Sequence, residues 1–450
     1  MGSERQITGI LIALAVAVGA YLASILFLDE VHARLIATIA FLVTLWTNEA
    51  LPLGVVSLFP IALFPALGFL STNQTAGNYA NGIIFLFLGG FMLAIAVEKT
   101  ELHKIIARKL LRVFPATPRG VIYALAITSG LLSAVLSNTT TALLLLPLAH
   151  FLAEELRLKM RLVLAIAFGA SVGGIMTPIG TPPNLILLGF LEKEGIESLS
   201  FMGWMALVAP LAIVMLGVMA WVLSLGTKGM NLGYQLSEFA PINREQKRLG
   251  IILLVLAALL LLNSPIKPWY GGLGLDERSL ILFFGLLMFL PGFKFLEWAD
   301  SKKVPYEIIF LFGAGFSLAA AFSATGFDGV VASGLSGLGG LHPVVAMTLV
   351  ALFVTFATGV MSNTALTSMV LPVIYALTQQ SHLDSELFLM VATVSASYAF
   401  MLPISTPPNA IALSSGAVRV GQMAAYGVLF NLIGAFLLVA VATLYWQWVL

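Results

Sequence analysis

Two short polar strings, Ser137-Asn138-Thr139 and Ser362-Asn363-Thr364, carry the side chains most able to hold an ion or a small polar solute. Hydroxyl and amide oxygens are hard ligands for a small cation, while amide N–H and hydroxyl O–H groups donate to an anion. Each string has a proline-rich companion downstream. Pro178-Ile179-Gly180-Thr181-Pro182-Pro183-Asn184 follows the first, and Pro403-Ile404-Ser405-Thr406-Pro407-Pro408-Asn409 follows the second. Both pairs are displaced by 225 residues, and the same offset carries Ile84-Phe85-Leu86-Phe87 onto Ile309-Phe310-Leu311-Phe312, Gly90-Phe91 onto Gly315-Phe316, Leu93-Ala94 onto Leu318-Ala319 and Pro147 onto Pro372. Apolar composition explains the Phe and Leu matches but not proline and polar matches in one register. The chain is an internal duplication.

The elements that position these strings are membrane helices. The chain is 60% hydrophobic and 10% charged, against roughly a quarter charged in ordinary soluble domains. The expected fold class is an all-α polytopic membrane protein, an inverted repeat of about 11 transmembrane helices with two re-entrant hairpins and two broken helices. The absence of cysteine rules out a disulfide frame or thiol chemistry, and a net charge of +1 gives no indication of nucleic acid. The span near Ile7 to Leu28 is long for a signal peptide and lacks an A-x-A cleavage pattern, so it is read as a retained first helix.

The duplication sets the domain boundaries. Residues 1–30 hold the first transmembrane helix, 31–227 the first repeat, 228–249 a cytoplasmic linker and 250–450 the second repeat. Within repeat one, the apolar run 121–152 is interrupted by the first polar string. Its halves are too short to cross a core of ~30 Å separately at 1.5 Å per residue. It is either one long interrupted helix or a hairpin that re-enters, and non-helical backbone at that depth must line a cavity or be buried in protein. The run 162–191 is broken by Pro178, Gly180, Pro182 and Pro183. Repeat two mirrors both, with a hairpin over 342–377 and a broken helix over 387–414. From Thr100 to Phe114, Leu102, Ile105, Ile106, Leu110 and Val113 form one face and Lys104, Arg108 and Arg112 another, the pattern of an amphipathic surface helix.

Basic residues decide between the two hairpin readings. With the N-terminus inside and both polar strings re-entrant, only Arg34, Lys193, Lys267 and Arg278 of the 22 basic residues fall outside. The hairpin reading then separates the broken helices by five crossings, which inverts one half relative to the other. It also places the N-terminus in the cytoplasm and the C-terminus outside it, in the cytoplasmic membrane.

Inverted repeats with paired discontinuous helices point to a secondary transporter with a site near the midplane. No Asp, Glu, Lys or Arg occurs in 121–152, 162–191 or 342–380. Without a protonatable relay, sodium coupling or exchange is favoured over proton coupling. Ser, Thr and Asn also glue helices together, but two copies, each paired with a proline-broken helix, favour a binding site. Gly334-Leu335-Ser336-Gly337, with His342 and His382 nearby, matches a protease nucleophile pattern and is read as a glycine-rich loop. The five histidines show no metal-ligand spacing, Glu49 is read as a loop or helix-end residue, and the inverted repeat argues against a channel.

The doubled Ser-Asn-Thr string, each followed by a Thr-Pro-Pro-Asn break, resembles the divalent anion:sodium symporter family over essentially the whole chain. That family carries dicarboxylates, citrate and sulfate. The resemblance implies a homodimer among membrane lipids, with a transport domain moving like an elevator against a scaffold, and no cofactor beyond sodium as coupling ion. By motif position it implies sodium ligands at Ser133, Ser137, Asn138 and Gly180 in half one and at Thr358, Ser362, Asn363 and Ser405 in half two. Substrate carboxylates would meet Asn138, Thr139, Asn363 and Thr364, with Thr181 and Thr406. Ser405 departs from the very small residue usual at its position. A sodium-driven carrier of a C4-dicarboxylate is the expected function, with an exchanger, citrate or sulfate as alternatives and a membrane enzyme as the reading from another class.

Overall fold

A computed structural model describes residues 3–153, 155–232, 242–265, 269–327, 329–330, 341–381, 383–403 and 405–450. The glycine-rich stretch 334–337, Lys267, Ile404, His382 and the side chain of Arg108 lie outside the described residues. The described chain is helical throughout its ordered elements, in the order α1 (Ser3–Ser24), α2 (Glu30–Asn48), α3 (Leu53–Ala66), α4 (Thr72–Asn78), α5 (Gly82–Lys99) and α6 (Leu102–Val113). Then follow α7 (Pro118–Ser133), α8 (Asn138–Leu152), α9 (Leu156–Gly174), α10 (Pro182–Lys193), α11 (Phe201–Ser224), α12 (Arg244–Asn263) and α13 (Glu277–Leu287). The series ends with α14 (Tyr306–Thr325), α15 (Pro343–Ala357), α16 (Asn363–Ser381), α17 (Ser385–Ala396), α18 (Pro407–Ser414) and α19 (Val420–Leu444). Six helical stretches among the described residues are long and apolar enough to cross a membrane. The chain is a multi-pass membrane protein.

Local chemistry starts and stops these helices. Thr117 caps α7 by accepting from Gly120 N, with Pro118 at the first helical position, where a missing N–H costs nothing. Ser137 caps α8 and Asp384 caps α17 in the same way. The proline pairs open α10 and α18.

Both hairpins are present. Ser129 Oγ donates to Ile166 O at 2.7 Å, a Cβ on Gly173 would meet Gly130, and Thr177 Oγ1 donates to Ala134 O. The offset between partners is nearly constant, so α7 and α9 run parallel and end together. Since α8 leaves the end of α7 and α9 begins four residues after α8 stops, α8 must run back along both. Half two repeats the arrangement, with Thr355 Oγ1 and Thr358 Oγ1 donating to Ser395 O and Ala396 O at 3.4 and 2.8 Å.

The two halves pack on each other reciprocally. α8 packs on α18 and α16 on α10, while α5 packs on α13 and α14 on α3, each pair exchanging equivalent elements. Phe87 and Phe312, equivalent to each other, meet with ring centroids 4.3 Å apart. A residue that touches its own counterpart sits on a two-fold relation. One contact breaks the exchange. α14 packs closely on α16, where a Cβ on Gly315 would stand 2.6 Å from Ser368 Oγ, but its counterpart α5 is at most grazed by α8.

Several boundaries differ from the sequence reading. The first hairpin starts at Pro118 and the first broken helix at Leu156, because the polar turns Arg119 and Arg157 to Arg161 are helical as well. α12 begins at Arg244, inside the expected linker 228–249, because Asn243 and Gln246 form a capping box there. On α6 the face packed inward is Leu102, His103, Ala107 and Leu111, while Ile106 and Val113 are exposed. The inward face is therefore rotated from the apolar stripe read in the sequence.

Candidate functional site

The tips of both hairpins and both helix breaks line one cavity of about 1100 Å³. Its walls include 135–140, 179–182, 360–364, Pro403 and 405–407, closed on one side by Phe87, Gly90, Phe91 and Ala94 of α5. Of the residues expected to bind, Ser137, Asn138, Thr139, Gly180, Thr181, Ser362, Asn363, Thr364, Ser405 and Thr406 reach the wall. Ser133 and Thr358 do not; both are fully buried behind it.

Around the hairpin tips and helix breaks the field in this cavity comes from backbone. α8, α10, α16 and α18 all begin at its wall, at Asn138, Pro182, Asn363 and Pro407. Each helix N-terminus acts as about +0.5 charge, so four of them present roughly two positive charges to the centre. α7, α9, α15 and α17 end beside the same tips, and their unpaired carbonyls supply the opposite sign. Helix ends of both signs thus meet around the tips, with no Asp, Glu, Lys or Arg among 135–140, 179–182, 360–364 and 405–407.

Half one offers a tight oxygen cluster. Ser133 Oγ donates to Asn138 Oδ1 at 2.5 Å, and that oxygen lies 2.7 Å from where a Cβ on Gly174 would stand. A Cβ on Gly180 would lie 2.4 Å from Gly174 O and 3.0 Å from Ser133 O, so only glycine fits. Ser137 is the N-cap of α8, with Thr140 N donating to its Oγ at 3.1 Å. Half two is built differently at the same positions. Thr358 Oγ1 bonds Ala396 O, Thr364 Oγ1 bonds Asn363 Oδ1 at 3.1 Å, and Ser405 Oγ donates to Gly359 O at 2.7 Å. Gly359 is the counterpart of Ala134, whose carbonyl takes the Thr177 hydroxyl in half one. Ser405 therefore supplies the tie between tip and break that Thr177 supplies in the other half, where the register places Leu402.

The orphaned atoms are equally informative. Thr181 Oγ1 and Thr406 Oγ1 are buried without a partner, and neither hydroxyl caps its helix. Buried polar groups are normally satisfied, and here the same atom is left open twice.

At one end the cavity reaches Gln6, Glu49, Glu98, Lys303 and Glu307. Lys303 Nζ stands 3.8 Å from Glu98, and Lys99 Nζ bonds Asp300 at 2.7 Å. The Glu297 amide and then Lys99 hold the Asp300 carboxyl below its usual value. That stabilisation is present above the ordinary carboxylate range and is lost as pH falls through the lowered pKa. Glu49 adopts a left-handed φ of 52°, and its counterpart in the repeat is Gly274 at 68°. Sequence reading took Glu49 as a loop or helix-end residue, and the register with a glycine was the signal for its place at this turn. Away from this cavity, Arg278 Nη1 pairs with Glu192 at 2.5 Å, and Lys193 Nζ donates to Phe316 O at 3.1 Å.

Comparison with known proteins agrees with this architecture. The family model described as citrate transporter matches residues 39–394. A protein named sodium-dependent dicarboxylate transporter SdcS, from Staphylococcus aureus (strain USA300), is 32% identical over 440 residues, covering 90% of this chain and 84% of that protein. Its namesake from Staphylococcus saprophyticus is 30% identical over the same shares. The solved YdaH transporter of Alcanivorax borkumensis superposes with a TM-score of 0.63 over 88% of this chain and 97% of that one, at 17% identity, a likeness of fold alone. Given the reach of the family match and the identity to these relatives, this chain belongs to the citrate transporter family and is a membrane carrier of the divalent anion symporter type, not an enzyme.

Proposed function

We propose that the protein carries a C4-dicarboxylate such as succinate, malate or fumarate into the cell, coupled to sodium. The convergence of four helix N-termini and four helix C-termini on one cavity carries this reading. A dianion matches the roughly two positive charges of the N-termini, and cations beside the carbonyl ends offset the charge of the dianion. Asn138 and Asn363 link the two, since each offers an oxygen to a cation and N–H donors to a carboxylate. Relatives named for sodium-dependent dicarboxylate transport support the choice of substrate and coupling ion.

Movement is read as an elevator. The hairpins, broken helices, α11 and α19 form one packed body, and α1 to α5 with α12 to α14 form a frame. The body leans on the frame through α16 and α10 at one end and stands away from it at the other, where the cavity reaches Gln6 near the N-terminus. With the N-terminus in the cytoplasm, as the distribution of basic residues supports, this is the inward-facing state. A reporter fused after Leu450 that is active only in the cytoplasm would overturn that orientation.

The deciding experiment is uptake of labelled succinate, malate, fumarate, citrate and sulfate into proteoliposomes, with and without a sodium gradient. Sodium-driven C4-dicarboxylate uptake is the expected result. Uptake driven only by an anion inside the vesicle would establish an exchanger. Ser405 gives that second reading a specific basis, because its hydroxyl already donates to Gly359 O.

A further inference from the structure

Asn184 and Asn409 are the third residues of α10 and α18, and the first in each with a backbone N–H, because two prolines precede them. Both are fully buried. Asn184 Nδ2 donates to Thr177 O at 2.8 Å and to Gly174 O at 3.2 Å. Asn409 Nδ2 donates to Ala399 O at 2.8 Å and to Leu402 O at 3.1 Å. The 225-residue register makes Gly174 and Ala399 equivalent, and likewise Thr177 and Leu402, so the two halves clamp the same carbonyls. In both halves the Oδ1 of the clamping side chain is buried and accepts nothing. Burying a carbonyl oxygen without a donor is a cost that an apolar residue of similar shape avoids. What the halves share is therefore the pair of N–H donors.

These donors hold the end of a broken helix. A helix end leaves carbonyls without intrahelical partners, and each carbonyl has two lone pairs. Binding one lone pair fixes the direction of the other. In half one the clamped segment forms the wall against which the Ser133 and Asn138 oxygens stand, with the Gly174 carbonyl filling the space a side chain at Gly180 would need. We propose that Asn184 and Asn409 are positioning residues, one for each cation site. Each keeps its break in the shape a cation requires before the cation arrives, without touching cation or substrate. The proposal rests on the sodium reading above.

The test is a sodium titration of succinate binding to the purified full-length protein and to Asn184→Ala, Asn409→Ala and the double variant. Each single variant should raise the half-saturating sodium concentration about tenfold, the scale of one lost buried hydrogen-bonding partner, and the double variant should raise it further. Saturating sodium should restore the unaltered succinate affinity, which a damaged fold or a lost substrate contact would not allow. Asn184→Ser, which keeps one donor, should fall between and serves if the alanine variant does not fold. An unchanged sodium requirement in a folded variant overturns the positioning role alone. A succinate affinity in the unaltered protein that ignores sodium overturns the sodium reading and the positioning role with it.

Discussion

Asn138 and Gly180 set the tolerances of the site at the scale of single residues. Asn138→Asp keeps the oxygen that accepts from Ser133, so the change is confined to a lost N–H donor and an added negative charge at the cavity wall. Uptake should be abolished in this variant and in Asn363→Asp, with the melting temperature close to that of the unaltered protein. Normal sodium-dependent uptake in either would mean that the doubled string is structural glue. At Gly180, alanine would place a methyl 2.4 Å from a backbone carbonyl, and backbone cannot swing aside as a side chain can. Gly180→Ala should lose sodium-stimulated uptake, whereas Ser405→Ala, which gives up one hydroxyl bond of about 1 kcal/mol, should keep most of it. Equal losses in the two would show that the halves are more alike than their hydrogen bonds suggest.

At the scale of elements, the breaks and hairpins were legible because prolines and polar residues inside apolar runs are conspicuous and because they occur twice. Pro182 and Pro183 remove two donors in succession, which marked the break in the sequence, and the structure starts α10 at Pro182. What a sequence does not reveal is which face of a helix meets a neighbour. α6 shows this, since its inward side includes His103, whose Nδ1 lies 3.0 Å from Val97 O, and Ala107, neither of which stands out in an apolar stripe. Nor does it reveal that Ser405 takes over the tie made by Thr177, because the two lie at different positions of the repeat. α6 packs on both α5 and α7, joining frame to body, and leaves Ile106 exposed. Ile106→Asp should weaken its seat in the membrane interface and slow transport, leaving succinate affinity in detergent unchanged. Equal loss of binding would place α6 in the site instead.

For the whole molecule, if the body moves as an elevator, the uneven contacts of α5 and α14 predict the contacts of the opposite state. Gly315 needs to be glycine here because Ser368 crowds it, while Gly90 meets Ile179 only at ordinary contact distances from 3.4 Å. Gly90 is the counterpart of Gly315, and Leu143, counterpart of Ser368, is 58% exposed. If the body moves outward, Leu143 should come to rest on Gly90. The chain has no native cysteine, so a cysteine pair introduced at 90 and 143, which meets no clash at Gly90 in the present state, should cross-link only when sodium and substrate drive the exchange. Cross-linking at 90 and 143 that ignores both ligands would rule out this exchange. The cavity has a further consequence, which concerns acidity. Its central field is supplied by helix ends, and helix ends do not titrate. Across the weakly acidic range, then, the fraction of cargo that is fully ionised should set the shape of the uptake curve. Dicarboxylates whose second proton leaves at different pH should give curves displaced from one another by that difference, and a single curve shared by all of them would point to an ionising group in the protein.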